Sequence, residues 1–254
     1  MRQNTPFPKP RGVPPTRLST LNSFMNVLGL FARHPQPGRV KTRLAADVGA
    51  DAAAELYAAF VADLLDRFRD VGDRRIVGYA PADVAARDYF HTACGDSYEL
   101  WPQTEGNLGD RIAAFIDHAF ASGGTQVVLI GSDSPTLPVE FVQTAFADLQ
   151  ERDCVLGPAT DGGYYLIGLR APRRELFDDI AWGGPDVLRQ TVAHVERSRL
   201  SLAVGPVWYD VDALADVQFL RGHLASRRVA GEEDVAPRTA ACLARDVSSG
   251  GAIR

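Results

Sequence analysis

The chain has 254 residues, 46% of them hydrophobic and 23% charged, which suits one sizeable globular α/β core. Its net charge of −5 excludes the basic balance of a nucleic-acid or anionic-membrane binder, and no apolar run reaches the roughly 18 residues that a membrane helix needs. Cys94, Cys154 and Cys242 are odd in number, far apart and outside any Cys-x-x-Cys, so they read as reduced thiols of a cytoplasmic protein.

Residues 1–24 stand apart. They hold Arg2, Lys9, Arg11 and Arg17 with no acid, leaving −9 on residues 25–254. Pro6, Pro8, Pro10, Pro14 and Pro15 oppose regular structure, and there is no apolar core of a secretion signal. The expectation is a disordered arm, or an upstream extension of a protein that could start at Met25. A single domain is expected over residues 25–226, and residues 227–254, ending in Ser248-Ser249-Gly250-Gly251, read as a loosely packed tail.

Between these ends strands alternate with helices. Val27 to Ala32 is a first strand, followed by a loop and a helix from about Ala50 to Val71, whose Leu56, Phe60, Leu64 and Phe68 repeat on one face. Arg74 to Tyr79 is a second strand ended by Pro81, a short helix spans about Ala82 to Phe90, and a weak strand lies near Tyr98 to Trp101. Leu108 to Phe120 is amphipathic, and Gly123-Gly124 ends it before the apolar run Val127 to Ile130. Pro138 opens a helix that reaches Leu149. Cys154 to Gly157 and Tyr164 to Leu169 flank an Asp-Gly-Gly turn signal and are expected to pair antiparallel. Such alternation predicts a three-layer α/β/α sandwich with a mixed, mainly parallel sheet.

Three places carry chemistry. After Ile130 the chain breaks at Gly131-Ser132-Asp133-Ser134-Pro135, which delivers one carboxylate beyond the carboxyl end of a buried strand. Ligands of open α/β sheets bind there, and a lone Asp suits a divalent cation holding phosphates, although Asp133 could equally cap a turn or helix. Ser132 beside it is a candidate phosphate contact. The loop His34 to Leu44 packs Arg39, Lys41 and Arg43 beside Gly38, an anion-binding composition that a solvated basic loop would share. It lacks the glycines of a Walker loop, and no Gly-x-Gly-x-x-Gly follows the first strand. Lys41 and Arg43 would point the same way if that loop were extended. In Trp208-Tyr209-Asp210-Val211-Asp212, alternation places Asp210 and Asp212 on one side, where both could face one metal; Asp212 could instead be the N-cap of the helix that follows. Tyr164 and Tyr165 alternate, so one of them faces the site. The histidines have no ligand-like spacing.

Taken together, PGRVKTRL, LGDRI, GSDSPTL, GPATDGGYYLIGL and WYDVDALADV resemble a bacterial family of glycosyltransferase-like proteins, often called selenodomain-associated transferases, within the GT-A nucleotide-diphospho-sugar transferase superfamily. The resemblance covers about Asn26 to Leu224. It implies a GT-A fold with Gly38, Lys41 and Arg43 on the nucleotide or its phosphates and Asp133 at the place of the metal-binding Asp motif. It also implies Gly162, Gly163 and Tyr164 on the acceptor or sugar side, and Asp210 or Asp212 as a second metal contact. Two features depart from the pattern: Asp133 is not part of an Asp-x-Asp, and Trp182-Gly183-Gly184 stands where relatives often show Trp-Ser-Thr.

The expected activity is glycosyl transfer from a nucleotide-diphospho-sugar to an unidentified acceptor, assisted by Mg²⁺ or Mn²⁺. Asp161 is the candidate base, because a turn carboxylate beside two glycines is reachable; turn geometry alone would also place an Asp there. Nucleotidyl transfer from an NTP to a phosphorylated acceptor is the alternative, with Gly38, Arg39, Lys41 and Arg43 holding the triphosphate. A non-catalytic nucleotide-binding protein is the third reading, and the oligomeric state stays open.

Overall fold

The computed structural model describes residues 24–232 and 235–248, so nearly all of the expected N-terminal arm lies outside the described residues. Its centre is a seven-stranded sheet of β1 (Asn26–Arg33), β2 (Arg74–Ala80), β3 (Glu99–Pro102), β4 (Gln126–Ile130), β5 (Cys154–Pro158), β6 (Tyr164–Leu169) and β7 (Leu202–Val204). They lie side by side in the order β3-β2-β1-β4-β6-β5-β7. All neighbours pair parallel except β6, which is antiparallel to both β4 and β5. The fold is α/β with a mixed, mainly parallel sheet, as the sequence predicts, including the antiparallel pair across Asp161-Gly162-Gly163.

Helices cover both faces because side chains alternate along each strand. Leu28, Leu30, Val128 and Ile130 face a core shared with α1 (Thr42–Val48), α2 (Ala50–Arg67), α3 (Val84–Cys94) and α5 (Val139–Asp148). Also packed on that face are α7 (Leu214–Val229) and α8 (Pro237–Ser248). Val27, Val127, Leu129 and Ile167 face the opposite core, covered by α4 (Leu108–Ala121) and α6 (Val187–Arg197). The predicted stripe of α2 is that seen: Leu56, Phe60 and Leu64 are fully buried, and Phe68 closes the helix. Gly29 allows α4 its close approach to β1, since a Cβ there would stand 2.4 Å from the Phe115 ring.

Two expectations change. The residues after 227 do not form a loose tail throughout: α8 buries Cys242 and Leu243 against the core. Asp63 of α2, itself 3% exposed, accepts the Arg238 N–H at 3.0 Å and the Thr239 N–H at 2.8 Å. The stretch from Thr42 is also helical rather than extended, so Lys41 and Arg43 converge by a turn and not by strand alternation. Among the described residues no helix is long and apolar enough to cross a membrane.

Candidate functional site

The chain leaves β1 toward β2 on one side, while β4 lies against β1 on the other. This reversal of strand order opens a crevice beyond the carboxyl ends of β1 and β4, the place where open α/β sheets bind ligands. β6, being antiparallel, contributes its amino end to the same edge, which brings Asp161 and Tyr164 there. The result is a cavity of about 980 Å³. Its walls include Arg39, Lys41, Arg43, Ser132, Asp133, Asp161, Gly163, Tyr164, Asp210 and Asp212, so the fold brings these residues to one crevice. Gly38 and Gly162 are absent from the wall. Gly38 serves a turn at φ 73°, and Gly162, at φ 93°, lies so close to Pro185 that a Cβ would stand 2.0 Å from its carbonyl oxygen.

Lys41 is the centre of this crevice. Its backbone adopts φ 47° and ψ 45°, a left-handed conformation that residues with a Cβ seldom take and that recurs at ligand sites. From there the ammonium donates to Asp133 Oδ1 and, at 2.8 Å, to Asp212 Oδ1; Arg43 holds the other oxygen of Asp212. The Lys41 side chain is 3% exposed, whereas those of Asp133 and Asp212 are 45% and 25% exposed. The lysine thus lies beneath two carboxylates that keep an open side toward the cavity. Burial by itself would lower its pKa, but the charges and hydrogen bonds of Asp133 and Asp212 outweigh that and raise it, so the ammonium stays charged. The rings of Tyr57 and Phe60 stand 5.5 and 5.8 Å from its nitrogen.

Backbone contacts explain how residues so far apart in sequence meet. Trp208 N–H donates to the Pro158 carbonyl and Val211 N–H to the Asp133 carbonyl, so the segment 208–212 runs along the end of β5 and past the Asp133 loop. Neither carboxylate is the helix cap that the sequence left open. Pro138 precedes α5, and Ala213 precedes α7, where Asp216 accepts the N–H groups of Asp212 and Ala213. Asp210 instead accepts the Ser134 hydroxyl. Burial raises its pKa to about 6, against the Ser134 bond; Asp133 and Asp161 add to the rise and Lys41 opposes it. Asp161 is exposed on the rim, its Oδ1 accepting the Gly163 N–H at 2.9 Å, so the turn role is real and leaves the carboxylate at the cavity. Of the two tyrosines, Tyr165 spends its hydroxyl on the Pro206 carbonyl, and burial raises the pKa of Tyr164.

Sequence reading missed Tyr57 and Ser134. The Tyr57 hydroxyl meets Ser132 at 2.7 Å and accepts the Arg33 N–H at 3.0 Å, tying α2 to the ends of β1 and β4. Burial and the Asp133 charge push it up to about 12, so it stays a neutral hydroxyl. Its place on the apolar face of α2, next to Leu56 and three residues before Phe60, was the available signal, but a buried Tyr in such a stripe reads as core.

Known proteins place this geometry. The chain matches the crystal structure of a candidate nucleotide-diphospho-sugar transferase from Desulfovibrio desulfuricans G20, with 36% identity and a TM-score of 0.81. The match covers 89% of this chain and 96% of that one. The chain belongs to this nucleotide-diphospho-sugar transferase-like family. Residues 64–184 match the family described as an uncharacterized protein conserved in bacteria (DUF2064). A nucleotidyl transfer enzyme of Methanothermobacter matches at 14% identity and a TM-score of 0.51, covering 78% of this chain and 97% of that one, which shows a shared fold. No curated protein matches the sequence. The family stretch at residues 64–184 contains Asp133 and Asp161, while Lys41, Arg43 and Asp212 come to them from outside it.

The expected Mg²⁺ or Mn²⁺ can be tested against the donor set. Among the described residues no cluster of three or more His, Cys, Asp or Glu side chains would hold a metal alone. Yet Asp133 and Asp212 already converge on one cation, the Lys41 ammonium. Two carboxylates completed by substrate phosphates are a usual Mg²⁺ arrangement, so the residues fit a metal that arrives with a phosphate ligand. Asp210, turned to Ser134, is not one of the converging pair.

Proposed function

We propose that this protein is a transferase acting on a nucleotide-diphospho-sugar, with Asp133 and Asp212 holding a divalent ion between the donor phosphates and the protein. The observation that carries this reading is the cluster Lys41–Asp133–Asp212–Arg43 at the carboxyl ends of β1 and β4. Two cations beside two part-exposed carboxylates can neutralise a diphosphate and its counter-ion together. When bound, the metal would stabilise negative charge on the leaving diphosphate. Lys41 and Arg43 would add two positive charges to the same oxygens, and Ser132, oriented by Tyr57, a hydroxyl donor. In the transfer, the acceptor hydroxyl bonds to the anomeric carbon as the bond from that carbon to the diphosphate breaks. Asp161 on the rim takes the acceptor proton.

A second reading, nucleotidyl transfer from an NTP, is favoured by one observation: Arg33, Arg39, Lys41, Arg43 and Arg111 all line the cavity, five cations toward the charge of a triphosphate. Thermal unfolding against nucleotide-diphospho-sugars and NTPs, with and without Mg²⁺ or Mn²⁺, separates the two. A ligand at about 100 times its Kd adds roughly 2.7 kcal/mol, or about 5–10 °C in Tm for a chain of this size. A metal-dependent rise with one nucleotide-sugar is expected. A rise confined to an NTP would replace this reading by nucleotidyl transfer, and no rise with any nucleotide would remove both.

A further inference from the structure

We propose that Lys41 is a displaceable counter-cation: it keeps Asp133 and Asp212 neutralised and closed to divalent metal until the phosphates of a nucleotide draw its ammonium away. Metal then enters with the nucleotide or after it. This rests on the nucleotide-binding reading above and adds an order of binding to it.

The Lys41 ammonium already fills the cation position between Asp133 Oδ1 and Asp212 Oδ1. Its nitrogen is in hydrogen-bond contact with Asp133 Oδ1 and 2.8 Å from Asp212 Oδ1, and a divalent ion bridging the same oxygens would collide with it and be repelled. The side chain is buried, and among the described residues no third carboxylate forms an ion pair with it; its other close neighbours are the Tyr57 and Phe60 rings. Among the described residues its ammonium bonds to the carboxylates of Asp133 and Asp212 alone, so away from that pair an incoming phosphate is what can compensate its charge. Arg43 stands ready for the first contact, being 70% exposed while it holds the outer oxygen of Asp212. Lys41 also sits at the junction of loop and α1, in a left-handed backbone conformation, where a small rearrangement of the loop would move its side chain. Because the coupling is reciprocal, the metal must strengthen nucleotide binding by the same factor by which nucleotide strengthens metal binding.

The test reads metal binding, not turnover. Free Mn²⁺ is followed by electron paramagnetic resonance during titration of the ligand-free protein. Wild type should bind Mn²⁺ alone weakly, and Lys41→Met should bind it on the order of tenfold more tightly or better. Adding Asp212→Asn to Lys41→Met should abolish the gain, which ties it to this pair of carboxylates. Equal Mn²⁺ affinity in wild type and Lys41→Met overturns the proposal. Should Lys41→Met fail to fold, wild type alone decides. At fixed free Mn²⁺, the Tm rise with a nucleoside diphosphate present should exceed the sum of the rises with either alone. Tight Mn²⁺ binding by wild type without nucleotide overturns the ordering and leaves the nucleotide reading intact. Failure of every nucleoside diphosphate to bind, at any Mn²⁺ level, overturns the nucleotide reading itself.

Discussion

Asp161 and Asp210 line one cavity, but their surroundings give them different work. Asp161 is exposed and bonded through Oδ1 to the Gly163 N–H. Asn can accept that same bond, so Asp161→Asn keeps the turn and removes only the proton acceptor. If Asp161 is the base, kcat should fall roughly 10²–10⁴-fold while KM and Tm stay near wild type. A loss of under about tenfold would reduce Asp161 to its turn role. Asp210 is held against Ser134 in a buried place, and that burial, with Asp133 and Asp161 nearby, raises its pKa from 3.8 to about 6. For a carboxyl raised on folding, the folded state binds the proton more tightly than the unfolded chain. The contribution of Asp210 to stability is therefore fully present below pH about 4 and is lost as pH climbs through 6, by at most about 3 kcal/mol. Asp210→Asn should flatten this decline in the ligand-free protein: equal Tm near pH 4 and a higher Tm than wild type at pH 7–8. A variant that is less stable at both ends would mean the Ser134 contact needs the charge.

Elements were legible where one periodicity dominated a long stretch. The stripe of α2 and the apolar run of β4 announced both their type and their buried face, because burial on one or both sides leaves few alternatives. The turn at Asp161-Gly162-Gly163 announced antiparallel pairing through glycine chemistry alone. Short or cap-dependent pieces did not show. β7 has only three residues, too few for a pattern, and its place beside β5 comes from tertiary pairing. α1 begins with a left-handed Lys41 that no propensity favours; the cluster with Asp133 and Asp212 is what holds it there. α8 looked like a tail because its apolar positions are few. Its docking depends on Asp63, a charged residue inside the buried face of another helix, receiving two backbone N–H groups. A carboxylate at the positive end of a helix is stabilised by that end, so a buried Asp on α2 is a fixed point for α8. Only the pairing across the fold gives it that meaning.

At the scale of the whole molecule, the members of the candidate site were more legible in the sequence than their pairing. Strand ends and turn residues marked Asp133, Lys41, Asp161 and Asp212 one by one. The contact of Lys41 with carboxylates 92 and 171 residues away follows from the strand order β2-β1-β4-β6, which no local pattern encodes. The same long-range assembly makes two of the thiols useful. Cys154 is fully buried at the start of β5, and burial pushes its pKa up to about 12; Cys94, at the end of α3, is pushed up to about 11 for the same reason. Thiolate is the reactive form, so neither should react with iodoacetamide at pH 8 unless the structure opens. Cys154 lies between β6 and β7, and exposing it requires taking the sheet apart. Its labelling should therefore be the slowest and should follow the global unfolding equilibrium. A nucleotide bound in the crevice at about 100 times its Kd should slow labelling of Cys154 by roughly 100-fold. If Cys154 instead reacts at the same rate with and without a ligand that raises Tm, its strand opens locally, and the sheet is not one cooperative unit with the site.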